Sequence, residues 1–575
     1  MYEGVYDLED IKQEIRKFAL QNAFEHDGKT QDKIIVSKIL GAKPEFRSKA
    51  KEIIAEVGPI VSEINSLSAQ QQKAEIESDF PEILSKQKVT REEQILPELE
   101  GAIKENVVTR FPPEPNGYPH IGHAKAAIIN EEYVNMYGGK KILRMDDTNP
   151  ENERLEYYAA IKVGLDWLGI KYDMIKNTSD DMEILLEKGR QIIESDNAYI
   201  CTCKRDKISK NRKEMTACKC SKADAKKNNE RWEKMFNKFK AGEAIVRFRG
   251  DMKSKNTAMR DPVLFRIIDA KHPLLGNKYR VWPSYDFAVA IEDSIDGVTH
   301  AFRSKEYELR NELYDAILDK LGMRKPKMEE FSRLEFKGMP VSKRVLKPLI
   351  ENGKVSWYDD PRLPTLEALK RRGITPEAVR QFILSLGFTK SDTLAPFDAL
   401  EAFNRKKIDA KSTRLFLIKD PKKITVRNLP VSSVEIPNHP TEDMGKRKIE
   451  FDSELYVPCE DVQGLDKKDH IRLMGLGNIM IEKTGTELAG TYTDDNTDAD
   501  HPKMQWIPQK NAHELKILIP GVLFKDEEFN ENSLQELNVL TEPHYLQRKD
   551  GETIQFVRFG YCHKESQNMA IYTHR

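Results

Sequence analysis

The feature that most constrains the fold is an alternation of strand-like and helix-like runs that begins near residue 106. The run VVTRF predicts a short strand, and the turn-rich run PPEPNGYPHIGH leads into the helical run AKAAIINEEYVNMY. After Gly138–Gly139, the run KILRMDD predicts a second strand, and apolar residues from Ile161 to Leu168 predict a second helix. This order is typical of a parallel α/β unit. We therefore predict a parallel sheet with helices packed on it.

The chain on either side of this unit has a different pattern. Leu8, Ile11, Ile15 and Phe18 recur at spacings of three and four, which predicts helices in the first hundred residues. Beyond Lys411, short β-like runs such as KITVRNL and ETIQFVRFGYC are separated by polar turns. Several short strands with turn signals indicate β-barrels or sandwiches. A chain of 575 residues is long enough for several such domains.

Composition excludes several classes of protein. Charged residues make up 33% of the chain, and no run approaches the roughly 18 apolar residues of a membrane span. The start, MYEGVYDLED, lacks the pattern of a secretory signal, so we expect a cytoplasmic protein. The net charge of -1 is an average, because residues 201–260 hold 19 Lys+Arg against 7 Asp+Glu and residues 1–100 hold 14 against 20. A polyanion responds to the basic segment, so a nucleic-acid partner is not excluded.

The turn between the first predicted strand and helix carries the strongest signs of chemistry. At the carboxyl end of a parallel strand, a ligand meets a helix N-terminus, which favours phosphate. His120 and His123 can donate to phosphate oxygens, and Gly117 and Gly122 let a nucleotide approach the backbone. By spacing alone, the two histidines could instead bind a metal or cap the helix.

The whole run at 110–123, RFPPEPNGYPHIGH, resembles the HIGH signature of class I aminoacyl-tRNA synthetases, in the form found in glutamyl and glutaminyl enzymes. The run MPVSKR at 339–344, which alone would be a solvated loop, resembles the mobile KMSKS loop of that class. Pro119 departs from the family pattern, which has leucine there. The resemblance implies an ATP site built from the two runs: Pro113, Glu114, Gly117, His120, Gly122, His123, Ser342 and Lys343. His120, His123 and Lys343 would be catalytic, with Lys343 stabilising the phosphates as pyrophosphate leaves.

The same resemblance implies an amino-acid pocket. Asp146, in a run that matches the family's R-x-DDT-[ND]-P, would bind the α-ammonium, and Tyr285 in YDFAVAIED would line the pocket. Arg110 aligns with the arginine that reaches the substrate side chain, and Arg303 stands where glutaminyl enzymes have a small neutral residue. A guanidinium pairs with a carboxylate but keeps an unsatisfied charge beside an amide. The two arginines therefore favour glutamate, unless Arg303 binds a structural acid.

Four of the six cysteines lie within twenty residues, as Cys201-x-Cys203 and Cys218-x-Cys220. In a reducing compartment, paired cysteines are more often metal ligands than disulfides, and four thiolates can hold a structural zinc ion. Unbound thiols and a redox role are the alternatives. Related zinc sites occur in the insertion with which glutamyl enzymes hold the tRNA acceptor end. The surrounding lysines and arginines would then follow the RNA backbone, although they could also form a solvated face.

The resemblance implies a multidomain α/β and β protein with a Rossmann-like catalytic domain. We predict six segments: a helical N-terminal appendage (1–104), the first half of the catalytic domain (105–195), a zinc-containing acceptor-end insertion (196–280), the second half of the catalytic domain (281–325), the KMSKS-type loop with a helical connecting domain (326–408), and anticodon-binding β-barrels (409–575). The barrels resemble those of glutaminyl and of archaeal or eukaryotic glutamyl enzymes.

The implied function is that of glutamyl-tRNA synthetases of the archaeal and eukaryotic type. ATP, with Mg²⁺, would activate L-glutamate as an adenylate, which a ribose hydroxyl of tRNA(Glu) then attacks. We expect a monomer, with tRNA(Gln) as a second candidate acceptor and the N-terminal helices as a candidate contact with a larger synthetase assembly. The alternatives are a glutaminyl enzyme, an inactive tRNA-binding paralogue, and a shortened relative that modifies a tRNA base but lacks barrels.

Overall fold

The computed structural model describes residues 8–25, 28–42, 50–80, 96–496 and 500–575. The chain divides into two compact units, Met1–Gln94 and Ile95–Arg575. None of the helices in the described ranges combines the length and apolar character that a membrane span requires.

The first unit is helical. Its helices are Leu8–Glu25 (α1), Asp32–Ala42 (α2), Ala50–Ser66 (α3) and Ala69–Asp79 (α4). Ile11 and Ile15 of α1 pack with Ile53 and Ile64 of α3 in one buried cluster, as the helical spacing of these residues predicts. Arg16 bonds the carboxylates of Glu63 and Glu75, which ties α1 to α3 and α4.

The second unit begins with an α/β region. Its strands up to residue 331 are Val107–Phe111 (β1), Gly139–Met145 (β2), Met174–Asn177 (β3), Ala198–Cys201 (β4), Ile245–Phe248 (β5), Val263–Ile267 (β6), Val281–Pro283 (β7), His300–Ser304 (β8) and Lys327–Phe331 (β9). Its helices are Ile121–Tyr137 (α5), Leu155–Trp167 (α6), Met182–Glu194 (α7), Arg205–Lys213 (α8), Ala225–Asn237 (α9), Tyr285–Ile295 (α10) and Asn311–Leu321 (α11). Leu96 and Leu99 pack against Val107 and Phe302, so the predicted boundary at residue 104 lies inside this unit.

The predicted parallel sheet is present. Strands β1, β2 and β3 pair in parallel, as do β8 and β9, and Thr299 N donates to Val108 O (2.9 Å), which places β8 beside β1. Gly139 has φ +134°, and a Cβ at this residue would lie 1.9 Å from Val107 O, so the β1–β2 pairing requires glycine here. The carboxyl ends of β1, β2 and β8 therefore lie at one edge.

An antiparallel sheet, in the order β4-β5-β6-β7, spans residues 198–283 between the two halves of the parallel sheet. Trp232, Phe265 and Trp282 are buried in its core together with residues of α7 and α10. Helices α8 and α9 are inserted between β4 and β5.

A mainly helical region follows. Its strands are Leu334–Phe336 (β10) and Thr393–Ala395 (β11), and its helices are Lys343–Glu351 (α12), Leu366–Arg371 (α13), Pro376–Ser385 (α14) and Phe397–Ile408 (α15). The short parallel pair β10–β11 holds it together. Leu366 and Phe382 pack with Ile121 and Ile128 of α5, so this region lies directly behind the first helix of the α/β region.

The C-terminal part is almost entirely β-structure. Its strands are Thr413–Leu415 (β12), Leu417–Ile418 (β13), Pro421–Arg427 (β14), Ser433–Pro437 (β15), Lys446–Glu450 (β16), Glu454–Pro458 (β17), His470–Leu473 (β18), Gly477–Lys483 (β19), Leu488–Asp494 (β20), Lys503–Met504 (β21), Ile507–Pro508 (β22), His513–Pro520 (β23), Phe524–Lys525 (β24), Glu528–Phe529 (β25), Leu534–Thr541 (β26), Thr553–Phe556 (β27), Gly560–Ser566 (β28) and Met569–His574 (β29).

Two seven-stranded sheets form here, in the orders β12-β27-β28-β29-β23-β26-β13 and β21-β18-β19-β20-β14-β17-β22. In the first, β12 and β13 are the two edges, yet Phe416 alone separates them in the chain. The second sheet ends in the same way on β21 and β22. In each sheet one short segment therefore forms both edge strands, which closes the sheet into a barrel and leaves no long open edge.

Candidate active site

A cavity of about 600 Å³ opens at the edge where β1, β2 and β8 end. Every residue predicted for the nucleotide and amino-acid sites contributes to its wall: Arg110, Pro113, Glu114, Gly117, His120, Gly122, His123, Asp146, Tyr285, Arg303, Ser342 and Lys343. These residues come from the end of β1 and the turn after it, the start of α5, the turn after β2, the start of α10, the end of β8, and the start of α12 with the loop before it. The structure thus brings together side chains that are far apart in the sequence.

The two histidines form the N-terminus of α5. His120 Nδ1 accepts from Gly122 N (3.1 Å), and His123 Nδ1 accepts from His120 N (3.2 Å). Because each Nδ1 is an acceptor, the proton of the neutral ring lies on Nε2. Burial lowers the pKa of His123 to about 4, and burial together with the neighbouring His123 lowers the pKa of His120 well below its usual value. Both rings are therefore neutral Nε2–H donors at physiological pH.

Gly122 is needed by this arrangement. A Cβ at residue 122 would lie 3.0 Å from His120 Cε1 and 3.1 Å from its Nδ1, so a side chain here would push the imidazole away. At Gly117, in contrast, a Cβ would meet no protein atom within 4 Å. The sequence predicts that a ligand approaches the backbone closely at both glycines. At Gly122 the structure gives a second reason for glycine, which is the close approach of the His120 ring.

The start of α12 contacts the turn after β1. Lys343, the first residue of α12, donates from Nζ to Asn116 O (2.6 Å), and its ammonium lies 5.5 Å from the ring centroid of Tyr157. Burial lowers the pKa of Lys343, although Glu114 acts in the opposite direction. A long, largely exposed cation thus lies at the mouth of the cavity.

Arg110 is fully buried and only partly satisfied. Its Nε lies 3.0 Å and 3.2 Å from the two oxygens of Asp293, and its Nη1 donates to Phe302 O (2.6 Å). Its Nη2 is buried without a hydrogen-bond partner. Burial would raise the pKa of Asp293, but the guanidiniums of Arg110 and Arg144 outweigh it, so this pKa is lowered and the carboxylate is charged.

Arg303 has neutral partners. Its Nη1 donates to Asn311 Oδ1 (3.2 Å) and its Nη2 to Tyr285 OH (3.3 Å), while its Nε is buried without a partner. The rings of Tyr285, Tyr307 and Tyr314 lie 5.2–5.5 Å from its guanidinium carbon. Across residues 96–496, no carboxylate oxygen lies within ion-pair distance of Arg303. It therefore does not bind a structural acid in this part of the chain.

Asp146 is another residue of the cavity wall. One carboxylate oxygen accepts from Thr178 Oγ1 (2.9 Å) and lies 3.6 Å from Arg144 Nε, while the other is buried without a partner. Burial raises the pKa of Asp146, and Arg144 partly offsets this. The cavity thus contains guanidinium donors without acceptors and a carboxylate oxygen without a donor. An amino acid with an acidic side chain has the groups to satisfy both.

Sequence reasoning missed three residues of this region: Arg144, Asp293 and Lys125. Lys125 is buried in the cavity wall, donates to Ser332 O (2.7 Å) and Oγ (2.8 Å), and has a pKa that burial lowers to about 8. Asp293 is the final residue of the run YDFAVAIED, where an acidic residue on an apolar helix was the available signal. The roles of Lys125 and Asp293 could not be predicted, because their partners Ser332 and Arg110 are distant in the chain.

The four predicted cysteines form a second candidate site at the end of β4. The Sγ atoms of Cys201 and Cys218 lie 3.8 Å apart, those of Cys203 and Cys220 lie 4.0 Å apart, and all four lie within 4.8 Å of one another. A tetrahedral zinc ion with Zn–S bonds of about 2.3 Å requires Sγ separations of about 3.8 Å. The donor set and spacing therefore fit a closed, structural zinc site. Arg247 Nη1 lies 3.8 Å from Cys218 Sγ, where it would stabilise a thiolate.

A basic cavity of about 370 Å³ lies in the same insertion, between α8 and the loop before β6. Four cations line it: Arg205, Arg212, Lys213 and Arg260. Within the described ranges, none of the four forms an ion pair; Arg212 and Arg260 instead donate to the backbone oxygens of Thr257 and Ser254. Their charge is therefore available to an anion.

Comparison with known proteins covers almost the whole chain. The catalytic domain of class I tRNA synthetases (E and Q) matches residues 106–410, and two anticodon-binding domains of the same class match residues 412–497 and 503–565. A glutamate–tRNA ligase of Nitrosopumilus maritimus (strain SCM1) is 67% identical, over 99% of this chain and 100% of the relative. Those of Cenarchaeum symbiosum (strain A) and Pyrococcus furiosus are 64% and 38% identical, over 99% and 97% of this chain and 100% and 99% of the relatives.

Proposed function

We propose, from the premise that this chain belongs to the class I tRNA synthetases of the glutamate and glutamine group, that it attaches L-glutamate to tRNA in an ATP-dependent reaction. The family inferred from the two signature runs is confirmed by matches over nearly the full chain. The name shared by the similar relatives, glutamate–tRNA ligase, favours glutamate over the glutaminyl alternative.

The observation that carries this proposal is the pair of incomplete guanidiniums in the cavity. Arg110 Nη2 and Arg303 Nε have no acceptor, and Asp146 has an oxygen without a donor. The side-chain carboxylate of glutamate would accept from the arginines, and its ammonium would donate to Asp146. The neutral carboxamide of glutamine would leave the positive charge uncompensated, which discriminates strongly in a buried site.

The first step joins the glutamate α-carboxylate to the α-phosphorus of ATP, and pyrophosphate leaves with the electrons of the broken P–O bond. The Nε2–H groups of His120 and His123 would donate to phosphate oxygens that gain charge, and Lys343 would leave Asn116 O to follow the departing phosphates. ATP and Mg²⁺ are used throughout class I. Among the described residues, no three-ligand cluster lines this cavity, so the metal would be held mainly by the phosphates.

In the second step, a ribose hydroxyl of the terminal adenosine of tRNA(Glu), the 2′-OH by family resemblance, attacks the adenylate carbonyl and AMP leaves. The basic cavity of Arg205, Arg212, Lys213 and Arg260 would hold backbone phosphate near the acceptor end. The two barrels, matched to anticodon-binding domains, would bind the opposite end of the tRNA. tRNA(Gln) is a second candidate acceptor, and we propose a cytoplasmic monomer.

Zinc would pin the acceptor-end insertion through Cys201, Cys203, Cys218 and Cys220. The test is metal analysis of the purified protein: wild type should hold about one zinc ion per chain, and Cys218→Ser should hold little. Cys459→Ser is the matched control, because Cys459 lies in the first barrel segment outside the cluster. Equal zinc in all three proteins would overturn the assignment.

The catalytic proposal is tested by ATP–pyrophosphate exchange and aminoacylation with purified tRNA(Glu) and tRNA(Gln). We expect exchange with glutamate and not with glutamine. Exchange with glutamine alone would support the glutaminyl alternative, and RNA binding without either exchange would support the inactive paralogue. Charging of the two tRNAs separately tests the second acceptor.

A further inference from the structure

Asp293 occupies a central position behind the amino-acid pocket. Its carboxylate contacts Arg110 Nε through both oxygens, accepts from Arg144 Nη2 (2.7 Å) and accepts from Tyr314 OH (3.1 Å). Asp293, Arg110 and Arg144 have no exposed side-chain surface. One buried carboxylate thus joins two buried guanidiniums that come from β1 and β2.

The two guanidiniums are linked to different polar groups of the pocket. Arg110 presents the unpartnered Nη2, whereas Arg144 Nε lies 3.6 Å from Asp146, whose other oxygen is unpartnered. Arg144 is held from a second side by Asp296, which accepts from its Nη1 (2.8 Å). Asp293 is therefore the only carboxylate of the described residues that contacts both Arg110 and Arg144.

We propose that Asp293 is a positioning residue that sets the distance between the two ends of the amino-acid pocket and so selects a substrate of glutamate's length. This inference rests on the proposed function and adds to it. Asp293 would not touch the substrate, because its oxygens are already used by Arg110, Arg144 and Tyr314. It would act by holding the guanidinium that receives the side-chain carboxylate at a fixed separation from the group that receives the ammonium.

The geometry gives a physical reason. A guanidinium is a planar fork, so contacts at its Nε edge and at Nη1 determine the direction of the remaining Nη2–H bonds. Without Asp293, Arg110 would keep its bond to Phe302 O but lose its contacts at Nε, and Arg110 and Arg144 would repel each other. Aspartate, one methylene shorter than glutamate, would then be rejected less strongly because the arginine could move to meet it.

The test is Asp293→Asn in steady-state aminoacylation of tRNA(Glu) with glutamate and with aspartate. We expect the KM for glutamate to rise about tenfold or more, the preference for glutamate over aspartate in kcat/KM to fall about tenfold, and the KM for ATP to change by less than about twofold. An unchanged preference, or an equal rise in both KM values, would overturn the proposal.

Glu542→Gln is the matched control. Glu542 is an equally buried carboxylate paired with a buried arginine, but it lies in the barrel part of the chain. It should leave the glutamate–aspartate preference unchanged. Asp296→Asn, which removes a contact to Arg144 but none to Arg110, should raise the KM for glutamate with a smaller change in length preference.

If Asp293→Asn does not fold, Tyr314→Phe tests the positioning role of Asp293 instead. It removes only the hydroxyl that donates to Asp293 and keeps the ring, and it should lower the preference about two- to threefold; no change would overturn the proposal. Wild-type activity separates this inference from the proposed function. Failure of the wild type to charge tRNA with glutamate would refute the function, whereas normal charging with a fully selective Asp293→Asn would refute only the role of Asp293.

Discussion

Two buried guanidinium–carboxylate pairs of this molecule have the same chemistry but differ in whether every buried nitrogen of the arginine has a hydrogen-bond partner. In the barrel part, Arg447 Nε donates to Glu542 Oε2 (2.7 Å), Arg447 Nη1 donates to Pro437 O (2.9 Å), and Phe416 N donates to Glu542 Oε1 (2.6 Å). In the cavity, Arg110 pairs with Asp293 but keeps an unpartnered Nη2. We call the first pair closed, because neither Arg447 nor Glu542 has a buried polar atom without a partner, and the second pair open, because Arg110 has one.

The difference separates a structural pair from a binding pair. Leaving a buried polar group without a partner costs about 1–3 kcal/mol, so an open pair is tolerated where a ligand completes it. A closed pair has no such role, and its partners should matter for folding alone. Substitutions in the two regions should therefore have opposite signatures, one in stability and the other in substrate selection.

The largest effect is expected from Glu542→Gln, which breaks the closed pair. It leaves Arg447 buried without its counter-charge and should lower the free energy of unfolding of the barrel region by about 3–5 kcal/mol. The KM for glutamate should not change. Hydrogen exchange of the amides of Leu534–Thr541, the strand that ends beside Glu542, measures the loss. An altered KM for glutamate with unchanged unfolding would contradict the distinction.

Arg303→Leu attacks the open pocket. It removes one of the two charges proposed to receive the substrate carboxylate, and kcat/KM for glutamate should fall about 10³-fold. Stability should be preserved or increased, because a buried charge without a carboxylate partner is replaced by an apolar group. Arg427→Leu is the control, because Arg427 is an exposed residue of a barrel strand. Equal losses for the two variants would argue against a pocket-specific role.

Lys343→Ala removes a cation at the mouth of the cavity. The Lys343 ammonium is largely exposed and is bonded to a backbone oxygen that it can leave. We expect kcat to fall about 10²-fold with little change in stability. Lys347→Ala, one turn further along α12 and paired with Glu351, is the matched control and should stay near wild type. An unchanged kcat for Lys343→Ala would refute the assigned mechanism.

Some residues of the cavity could be predicted from the sequence, whereas the Arg447–Glu542 pair of the barrel part could not. Arg110, His120, Asp146 and Lys343 were candidates because the short runs that contain them resemble signatures of the family. Asp293 could not be predicted, since it meets Arg110 from 183 positions further along the chain. The same limit applies to the barrels: strand-like runs predicted their presence, but not that residues 413–418 form both edge strands of one sheet. Local patterns carry no information on such long-range pairing.

The smallest expected effect is on pH-dependent stability at the N-terminus of α5. Burial lowers the pKa of His123 to about 4, against about 6.5 in an unfolded chain. Between these values the unfolded state binds a proton that the folded state does not. The contribution of His123 is therefore complete above about pH 6.5 and is lost as the pH falls toward 4, amounting to about 2 kcal/mol by pH 5. His120, whose pKa is also lowered, acts in the same direction.

His123→Asn should reduce this pH dependence, because an asparagine oxygen can still accept from His120 N but cannot take up a proton. Hydrogen exchange of the amides of Ile121–Tyr137 at pH 7.5 and pH 5 measures the local opening free energy in both proteins. His470→Asn, in the barrel part, is the control and should leave the pH dependence of this helix as in wild type. If His123→Asn kept the full loss of protection at pH 5, the neutral state of the imidazole would not stabilise the folded turn, and the Nε2–H donor assigned to it would lose its physical basis.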